Sequence, residues 1–227
     1  MKIRDLHGWE VSPKEAVAIQ RELAGELTET LSAGFAPKLI AAADVSSNRF
    51  SSRVYAAVVV LTLPGLDVVE TRTASGEARM PYVPGLLSFR EIPVLAEAFS
   101  RVESEPDVVM FDGHGRAHPR RIGLACHAGL LLGLPSFGCA KSVLVGDYDE
   151  PGRSRGSRAE LVHKGELIGC ALRTRRAVKP VFVSTGHMMD LETAVGLTLD
   201  CAPRYRVPEP TRAAHDAANE ARRSDMS

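Results

Sequence analysis

Apolar residues recur with two different periods along this chain of 227 residues. A recurrence every three to four positions predicts amphipathic helices at 12–33, 88–102, 122–132, 190–199 and about 211–223. Shorter apolar runs predict strands at 39–45, 53–61, 67–74, 108–111, 135–140, 161–162, 167–172 and 181–183. Short connections favour antiparallel pairing of the first three strands, whereas the unalternating run at 108–111 suits a buried central strand.

Capping and turn residues refine these elements. Ser12 precedes a proline, as expected of an N-cap at the start of the first helix. Asp190 and Thr211 are candidate N-caps of the last two helices. Pro93 falls in the first turns of the 88–102 helix, where proline is tolerated. A Lys-Gly pair at 164–165 predicts the turn of a hairpin.

The order of elements indicates the fold class. A helix, three antiparallel strands, a helix, a strand, a helix and a strand follow one another, as in a ribonuclease H-like α/β fold, with a mixed sheet flanked by helices. Hydrophobic residues make up 44% of the chain and charged residues 25%, which fits one domain over 1–227. The residues from about 222 onward are polar and predict a tail.

Several protein classes are disfavoured by composition. No apolar run reaches the roughly 18–20 residues that cross a bilayer, and no apolar stretch follows the charged N-terminus as in a signal peptide. A cytoplasmic protein without a membrane partner is therefore expected. The four cysteines are scattered and form no C-x-x-C pair, which predicts reduced thiols rather than disulfides or a zinc site.

Charge is balanced overall but unevenly distributed. The net charge is zero, so no global field draws the protein to nucleic acid. Residues 112–180, however, contain 12 Lys and Arg against 6 Asp and Glu. This segment is either a surface that follows a phosphate backbone or an ordinary solvated surface.

Two aspartates are candidates for metal chemistry. Asp44 and Asp112 each stand at the end of an apolar strand. If the two strands are neighbours, the carboxylates repel each other unless a cation lies between them. Hard oxygen ligands suit Mg²⁺, with Mn²⁺ as a substitute, and such an ion can activate a phosphodiester. Taken singly, each aspartate could equally cap a turn.

Three further side chains are candidates for catalysis. Glu91 is a third carboxylate, although Ser88 three residues earlier would make it a capping-box residue. Lys141 follows a short strand and could neutralise charge on a phosphate, or be an ordinary surface lysine. His215, early in the last helix, could transfer a proton or contact the phosphate, or be an ordinary surface histidine.

Two loops have features of nucleic-acid contacts. Residues 112–121 contain three arginines, two glycines, His114 and His118, which are too few ligands for zinc but could contact phosphate. Residues 81–85 are stiffened by prolines around Tyr82. A rigid apolar loop with an aromatic ring can open a base stack, although a buried turn with a core tyrosine has the same composition.

Five segments together resemble the endonuclease V family. They are 44–46, 81–91, 112–121, 138–141 and 208–215, and their order and spacing agree over roughly 10–220. The resemblance implies a ribonuclease H-like fold and a DNA repair endonuclease that uses Mg²⁺. Such an enzyme hydrolyses the second phosphodiester 3′ to deoxyinosine or another deaminated base, leaving a 3′-hydroxyl and a 5′-phosphate.

The resemblance also implies roles for individual residues. Asp44, Asp112 and Glu91 would be the metal ligands, and Lys141 and His215 would assist catalysis. The remaining residues would contact the DNA or form the lesion pocket. The DNA-contacting set is Pro81, Tyr82, Val83, Pro84, Gly85, Leu86, His118 and Arg120, and the pocket set is Leu87 and Gly113.

Other functions stay open on sequence grounds. A structure-specific nuclease, or one that acts on inosine in RNA, would use the same fold and metal site. A catalytically idle nucleic-acid binding protein is disfavoured, because clustered carboxylates beside phosphate bring a pure binder no advantage. A monomer is the default oligomeric state.

Overall fold

The computed structural model describes residues 1–48 and 51–225. Eight strands form one sheet in the order β3-β2-β1-β4-β5-β8-β7-β6. The strands are β1 (Leu39–Ser47), β2 (Arg53–Thr62), β3 (Val68–Glu77), β4 (Val108–Phe111), β5 (Ser136–Ala140), β6 (Arg158–His163), β7 (Glu166–Leu172) and β8 (Val181–Thr185). The helices are α1 (Pro13–Ala24), α2 (Leu87–Ser100), α3 (Leu124–Leu132), α4 (Leu191–Asp200) and α5 (Glu209–Ser224).

Strand directions match the expectations from the sequence. Strands β1, β2 and β3 are antiparallel neighbours, and the short β4 lies between β1 and β5, parallel to both. Strands β6 and β7 form the predicted hairpin, and β8 joins it to β5. The predicted mixed α/β sheet flanked by helices is confirmed.

Helices cover both faces of the sheet. Ala41 and Ala43 of β1 point to the face covered by α2 and α3, and Ile40 and Ala42 point to the face covered by α4 and α5. Because both faces are buried, the central strand β4 is apolar at every position, which explains its lack of alternation. Among the described residues, no helix is both long and apolar enough to cross a membrane.

The first helix is shorter than its pattern predicted. Ser12 caps α1 as expected, in a complete capping box with Glu15. The helix ends at Ala24 rather than near residue 33, with Gly25 as its C-cap. Beyond it the backbone makes tertiary bonds instead, since the Thr28 carbonyl accepts from the Met188 N–H at 2.6 Å. The prediction was wrong there because a tertiary contact replaced the helical hydrogen bonds.

Two predicted features of α2 differ in the structure. The helix begins at Leu87 with Leu86 as N-cap, so Ser88 lies inside the helix and Glu91 is not a capping-box residue. Pro93 is the seventh helical residue and therefore lies in the interior, past the first turn. Position 93 thus has no N–H to donate to the preceding turn.

The last helix also begins and ends differently from the prediction. Pro208, not Thr211, is the N-cap of α5, and the buried Thr211 hydroxyl donates to the Pro208 carbonyl at 2.9 Å. The helix continues to Ser224, so the residues expected to begin a tail at about 222 are helical. Arg222 donates to the Asn48 side chain at 2.9 Å, and Asp225 accepts from the Tyr55 hydroxyl at 2.6 Å. By contrast, Asp190 caps α4 as predicted.

Candidate active site

Strand register brings the two aspartates together. Ala43 of β1 is paired with Phe111, the last residue of the parallel strand β4. The next residue on each strand is therefore an aspartate, Asp44 and Asp112, at the same level of the sheet. Asp44 lies inside β1 rather than at its end as predicted, because β1 continues to Ser47 in its pairing with β2.

A histidine and a lysine complete this cluster. Potential ligand atoms of Asp44, Asp112 and His215 all lie within 4.8 Å of one another. His215 comes from α5, which packs on β1 and β2, and its Nδ1 is 2.7 Å from Oδ2 of Asp44. Lys141, directly after β5, donates from Nζ to Oδ2 of Asp112 at 2.5 Å.

Glu91 lies close to this cluster, but it is not one of the three residues whose ligand atoms lie within 4.8 Å of one another. Burial, together with the charges of Asp44 and Asp112, raises the pKa of the Glu91 carboxyl to about 8. Burial, together with the Asp112 charge, also raises the pKa of Asp44. Carboxylates that oppose each other's ionisation are stabilised by a cation, and oxygen donors suit a hard divalent one. The cluster is thus a possible metal site, which we call the acidic site.

Tyr82 lies beside the acidic site on an exposed loop. Residues 81–85, here called the Tyr82 loop, connect Met80 to the start of α2, and the Tyr82 side chain is 67% exposed. Val83 packs against the buried Met80, Leu86 and Phe89. The exposed ring is inconsistent with the alternative of a core tyrosine in a buried turn.

A cavity of about 350 Å³ separates the Tyr82 loop from the acidic site. This volume lies in the usual range for a small-molecule pocket. Leu87 and Gly113, the two residues predicted for a lesion pocket, both line it, as do Gly85, Tyr82, Asp112 and Lys141. Leu86 is buried beneath the loop at 2% exposure, and Pro81 and Pro84 are exposed on it.

Comparison with known sequences agrees with this arrangement. The profile of the family described as Endonuclease V matches residues 21–216. Endonuclease V of Myxococcus xanthus (strain DK1622) is 50% identical over 217 residues, which cover 96% of this chain and 92% of the relative. The chain belongs to the endonuclease V family. It is therefore a nuclease that hydrolyses phosphodiester bonds, and the resemblance noted in the sequence is confirmed.

Solved structures of endonuclease V share the fold over the whole chain. The crystal structure of endonuclease V from Streptomyces avermitilis has a TM-score of 0.93 and 43% identity, with 100% of each chain covered. Endonuclease V of Ciona intestinalis has a TM-score of 0.83 and 26% identity, and it covers 96% of this chain and 100% of its own. That protein was crystallised with a 23mer DNA containing an inosine followed by a ribo-adenosine.

Two glycines, Gly115 and Gly138, allow close packing between residues 113–115 and the sheet. A Cβ on Gly115 would lie 1.9 Å from the Thr185 carbonyl oxygen, and the Gly115 N–H donates to the Ser184 hydroxyl at 2.9 Å. A Cβ on Gly138 would lie 2.3 Å from the Gly113 carbonyl oxygen. Gly115 and Gly138 therefore let residues 113–115 lie against β5 and β8.

The three arginines of the loop at residues 112–121 are all bound by other protein groups. Arg116 pairs with Glu29 and Glu166, and Arg121 pairs with Glu166 at 2.7 Å. Arg120 donates to the side chain of Gln20 and to the backbone of the Tyr82 loop. The loop is thus fixed by ion pairs and hydrogen bonds to distant segments.

Sequence reasoning missed the partners of this loop. Glu29, Glu166 and Gln20 are 45 to 100 residues away from the arginines that they contact. Glu29 and Glu166 have no local signal of function, since a glutamate on an amphipathic element looks like a surface residue. Gln20 alone had a weak signal, because it is a polar residue near the apolar stripe of α1, and it is 1% exposed.

Proposed function

We propose that this enzyme hydrolyses the second phosphodiester 3′ to deoxyinosine or another deaminated base in DNA. It uses Mg²⁺, which Mn²⁺ can replace, and leaves a 3′-hydroxyl and a 5′-phosphate. The observation that carries this proposal is the adjacency of three features, namely the acidic site, the cavity and the exposed Tyr82. The Ciona relative, crystallised with inosine-containing DNA, supports the choice of lesion.

Asp44, Asp112 and Glu91 are the proposed metal ligands. Both aspartates have an oxygen in the 4.8 Å cluster, and Glu91 is electrostatically coupled to both of them. A bound divalent cation would neutralise charge on the scissile phosphate and lower the pKa of an attacking water. The chain's own contribution would be to hold the carboxylates of Asp44 and Asp112 near Glu91 of α2, where they could bind the cation together with a phosphate oxygen.

Lys141 and His215 are proposed to act on charge and on protons. The Lys141 ammonium, within hydrogen-bond distance of Asp112, can also donate to a phosphate oxygen as negative charge develops there. His215 has one ring nitrogen against Asp44 and the other available, and its side chain is half exposed. These contacts support the proposal that His215 accepts or donates a proton beside the phosphate.

Recognition of the lesion is assigned to the Tyr82 loop and the cavity. The exposed Tyr82 ring, between prolines, would fill the gap left when the damaged base leaves the stack. The displaced base would enter the cavity lined by Gly85, Leu87 and Gly113. One chain supplies every residue of this site, so we propose a single catalytic domain that acts as a monomer.

A nicking assay tests the proposal. Purified protein with Mg²⁺ is incubated with a duplex that contains one deoxyinosine, with the same duplex lacking it, and with an inosine-containing RNA. The expected result is one nick at the second phosphodiester 3′ to the inosine, in the modified DNA only, and no nick in EDTA. Equal cutting of both DNA duplexes would refute lesion recognition, and a strong preference for RNA would reassign the substrate.

Substitution of the aspartates tests the assigned ligands. Asp44→Asn and Asp112→Asn keep the side-chain shape and remove the charge, so each is expected to lower the cleavage rate at least about 100-fold. Binding of uncut inosine DNA should persist in Ca²⁺. Asp149→Asn, at an exposed aspartate, is the matched control. Normal turnover in Asp112→Asn would remove Asp112 from the metal site.

A further inference from the structure

Three side chains converge on one carbonyl at the end of the Tyr82 loop. The Gly85 oxygen accepts from Nε2 of Gln20 at 3.0 Å and from a terminal guanidinium nitrogen of Arg120 at 2.7 Å. Nε2 of His118 lies 3.0 Å from the same oxygen. We call these three side chains the carbonyl clamp. Most backbone carbonyls bind one or two donors, so three side-chain donors on a single loop carbonyl are unusual.

Members of the clamp also fix one another. Nε of Arg120 donates to Oε1 of Gln20 at 2.5 Å. Both the nitrogen and the oxygen of the Gln20 amide are therefore hydrogen-bonded within the clamp. The Arg120 backbone N–H donates to Nδ1 of His118 at 3.2 Å, which leaves the proton of a neutral imidazole on Nε2, facing Gly85. Burial lowers the pKa of His118 to about 4, in agreement with the neutral ring. The clamp is therefore a closed network that joins α1, residues 118–120 and the loop.

The opposite end of the Tyr82 loop is held as well. Arg90 donates to the Met80 carbonyl and to the Ser51 carbonyl, each at 3.0 Å. Gly85 has a positive φ of 78°, and a Cβ there would lie 2.9 Å from the Arg120 guanidinium, so both the backbone and the clamp require glycine. The loop is therefore held at the Met80 carbonyl and at the Gly85 carbonyl, and the exposed Tyr82 lies between these two points.

We propose that Gln20 and Arg120 are positioning residues, which hold the Tyr82 loop over the cavity through the Gly85 carbonyl. This inference rests on the proposed function of Tyr82 as the residue that replaces a displaced base. A loop that is already ordered before binding does not lose that conformational freedom when DNA binds. The clamp also sets the distance between Tyr82 and the acidic site, because Arg120 belongs to the loop that begins at Asp112.

Burial distinguishes this role from direct contact with DNA. Gln20 is 1% exposed and His118 is 3% exposed, so neither can reach a phosphate without leaving the clamp. The Arg120 guanidinium is bound by Gln20 and Gly85. In this structure His118 and Arg120 bind the Gly85 carbonyl, and the DNA contacts predicted for them from the sequence stay a prediction. Gln20 and His118 also line the cavity proposed for the displaced base. An experiment without DNA therefore separates their effect on the loop from a contact with the base.

Hydrogen–deuterium exchange tests whether the clamp holds the loop, without reference to activity. Gln20→Met keeps the length of the side chain and removes both of its hydrogen bonds. Amides in a peptide covering 80–87, including the Leu86 N–H that donates to the Val83 carbonyl, should exchange about fivefold to tenfold faster. Peptides from β1 and β4 should be unchanged. Unaltered exchange at 80–87 would overturn the proposal.

Two further variants make this exchange result specific. Arg120→Lys keeps the positive charge but loses the forked contact with Gln20 and Gly85, and it should also accelerate exchange at 80–87. Leu23→Ala, on the same helix but buried against α3, is the control for loss of α1 packing. It should lower Tm and leave the 80–87 peptide unchanged. Faster loop exchange in Leu23→Ala, equal to that in Gln20→Met, would mean general loosening and would overturn the proposal.

A kinetic double-mutant cycle tests whether the clamp acts through Tyr82. On an inosine duplex, Gln20→Met should lower kcat about fivefold to tenfold and change KM less than about twofold. In the Tyr82→Ala background the same change should have no further effect, because the positioned ring is gone. Equal losses in both backgrounds would refute action through Tyr82. If the wild type fails to prefer inosine, the proposed function fails, while the exchange experiment still decides on the clamp.

Discussion

Acidification is expected to destabilise this protein through one buried histidine. His127 of α3 is 0% exposed and packs against the rings of Trp9 and Phe89. Its Nε2 lies 2.8 Å from Nε2 of His7, and its Nδ1 lies 3.1 Å from the Ser88 hydroxyl. Burial, with a smaller contribution from His7, lowers the pKa of His127 to about 3.

The sign and size of the effect follow from proton linkage. An unfolded histidine has a pKa of about 6.5, so below that pH the unfolded state binds a proton that folded His127 does not. The stabilisation is therefore complete above pH 6.5 and is lost as the pH falls towards 3. At pH 5 the free energy of unfolding is lowered by about 2 kcal/mol. This value is set by protonation of the histidine in the unfolded chain, because folded His127 is still neutral at that pH.

Urea unfolding, followed by the fluorescence of the single tryptophan, measures this difference. His127→Gln keeps a polar side chain and cannot titrate. Between pH 7.5 and 5, its free energy of unfolding should fall by about 2 kcal/mol less than that of the wild type. His163→Gln is the control for replacing a histidine by glutamine, because His163 lies on β6, away from the aromatic rings that surround His127. Parallel pH profiles for the wild type and His127→Gln would refute the reasoning.

Three other predictions concern the site and its supports. Gly138→Ala should lower Tm by several degrees or prevent folding, because its Cβ would lie 2.3 Å from the Gly113 oxygen. In a thermal melt the control is Gly76→Ala, whose Cβ would have no neighbouring atom within 4 Å. Tyr82→Ala should reduce the preference for inosine over unmodified duplex about tenfold. Tm should be unchanged because the ring is exposed. An unchanged preference would contradict the proposal that Tyr82 fills the gap left by the displaced base. Lys141→Met should slow single-turnover cleavage about 100-fold while DNA binding persists, and a normal rate would exclude a catalytic lysine.

Local patterns in the sequence were sufficient to predict that the helices and strands exist, in their order along the chain, and to indicate the family. The capping box at Ser12, the hairpin turn at Lys164 and the unalternating run of β4 each depend on neighbours within a few residues. The segments around Tyr82 and Asp112 are compact enough to be read from the sequence as well. The activity was inferred from the resemblance of these segments to one family. Physical reasoning from the residues alone would have predicted only a metal-dependent hydrolase.

Tertiary structure alone decided how these pieces meet. The pairing of Ala43 with Phe111 places Asp44 beside Asp112, and the packing of α5 brings His215 from 171 residues away. The end of α1 at Ala24 and the burial of Gln20 against Gly85 were equally invisible in the sequence. Helical and strand periods depend on residues a few positions apart, whereas register and buried polar contacts depend on groups that only the folded chain brings together.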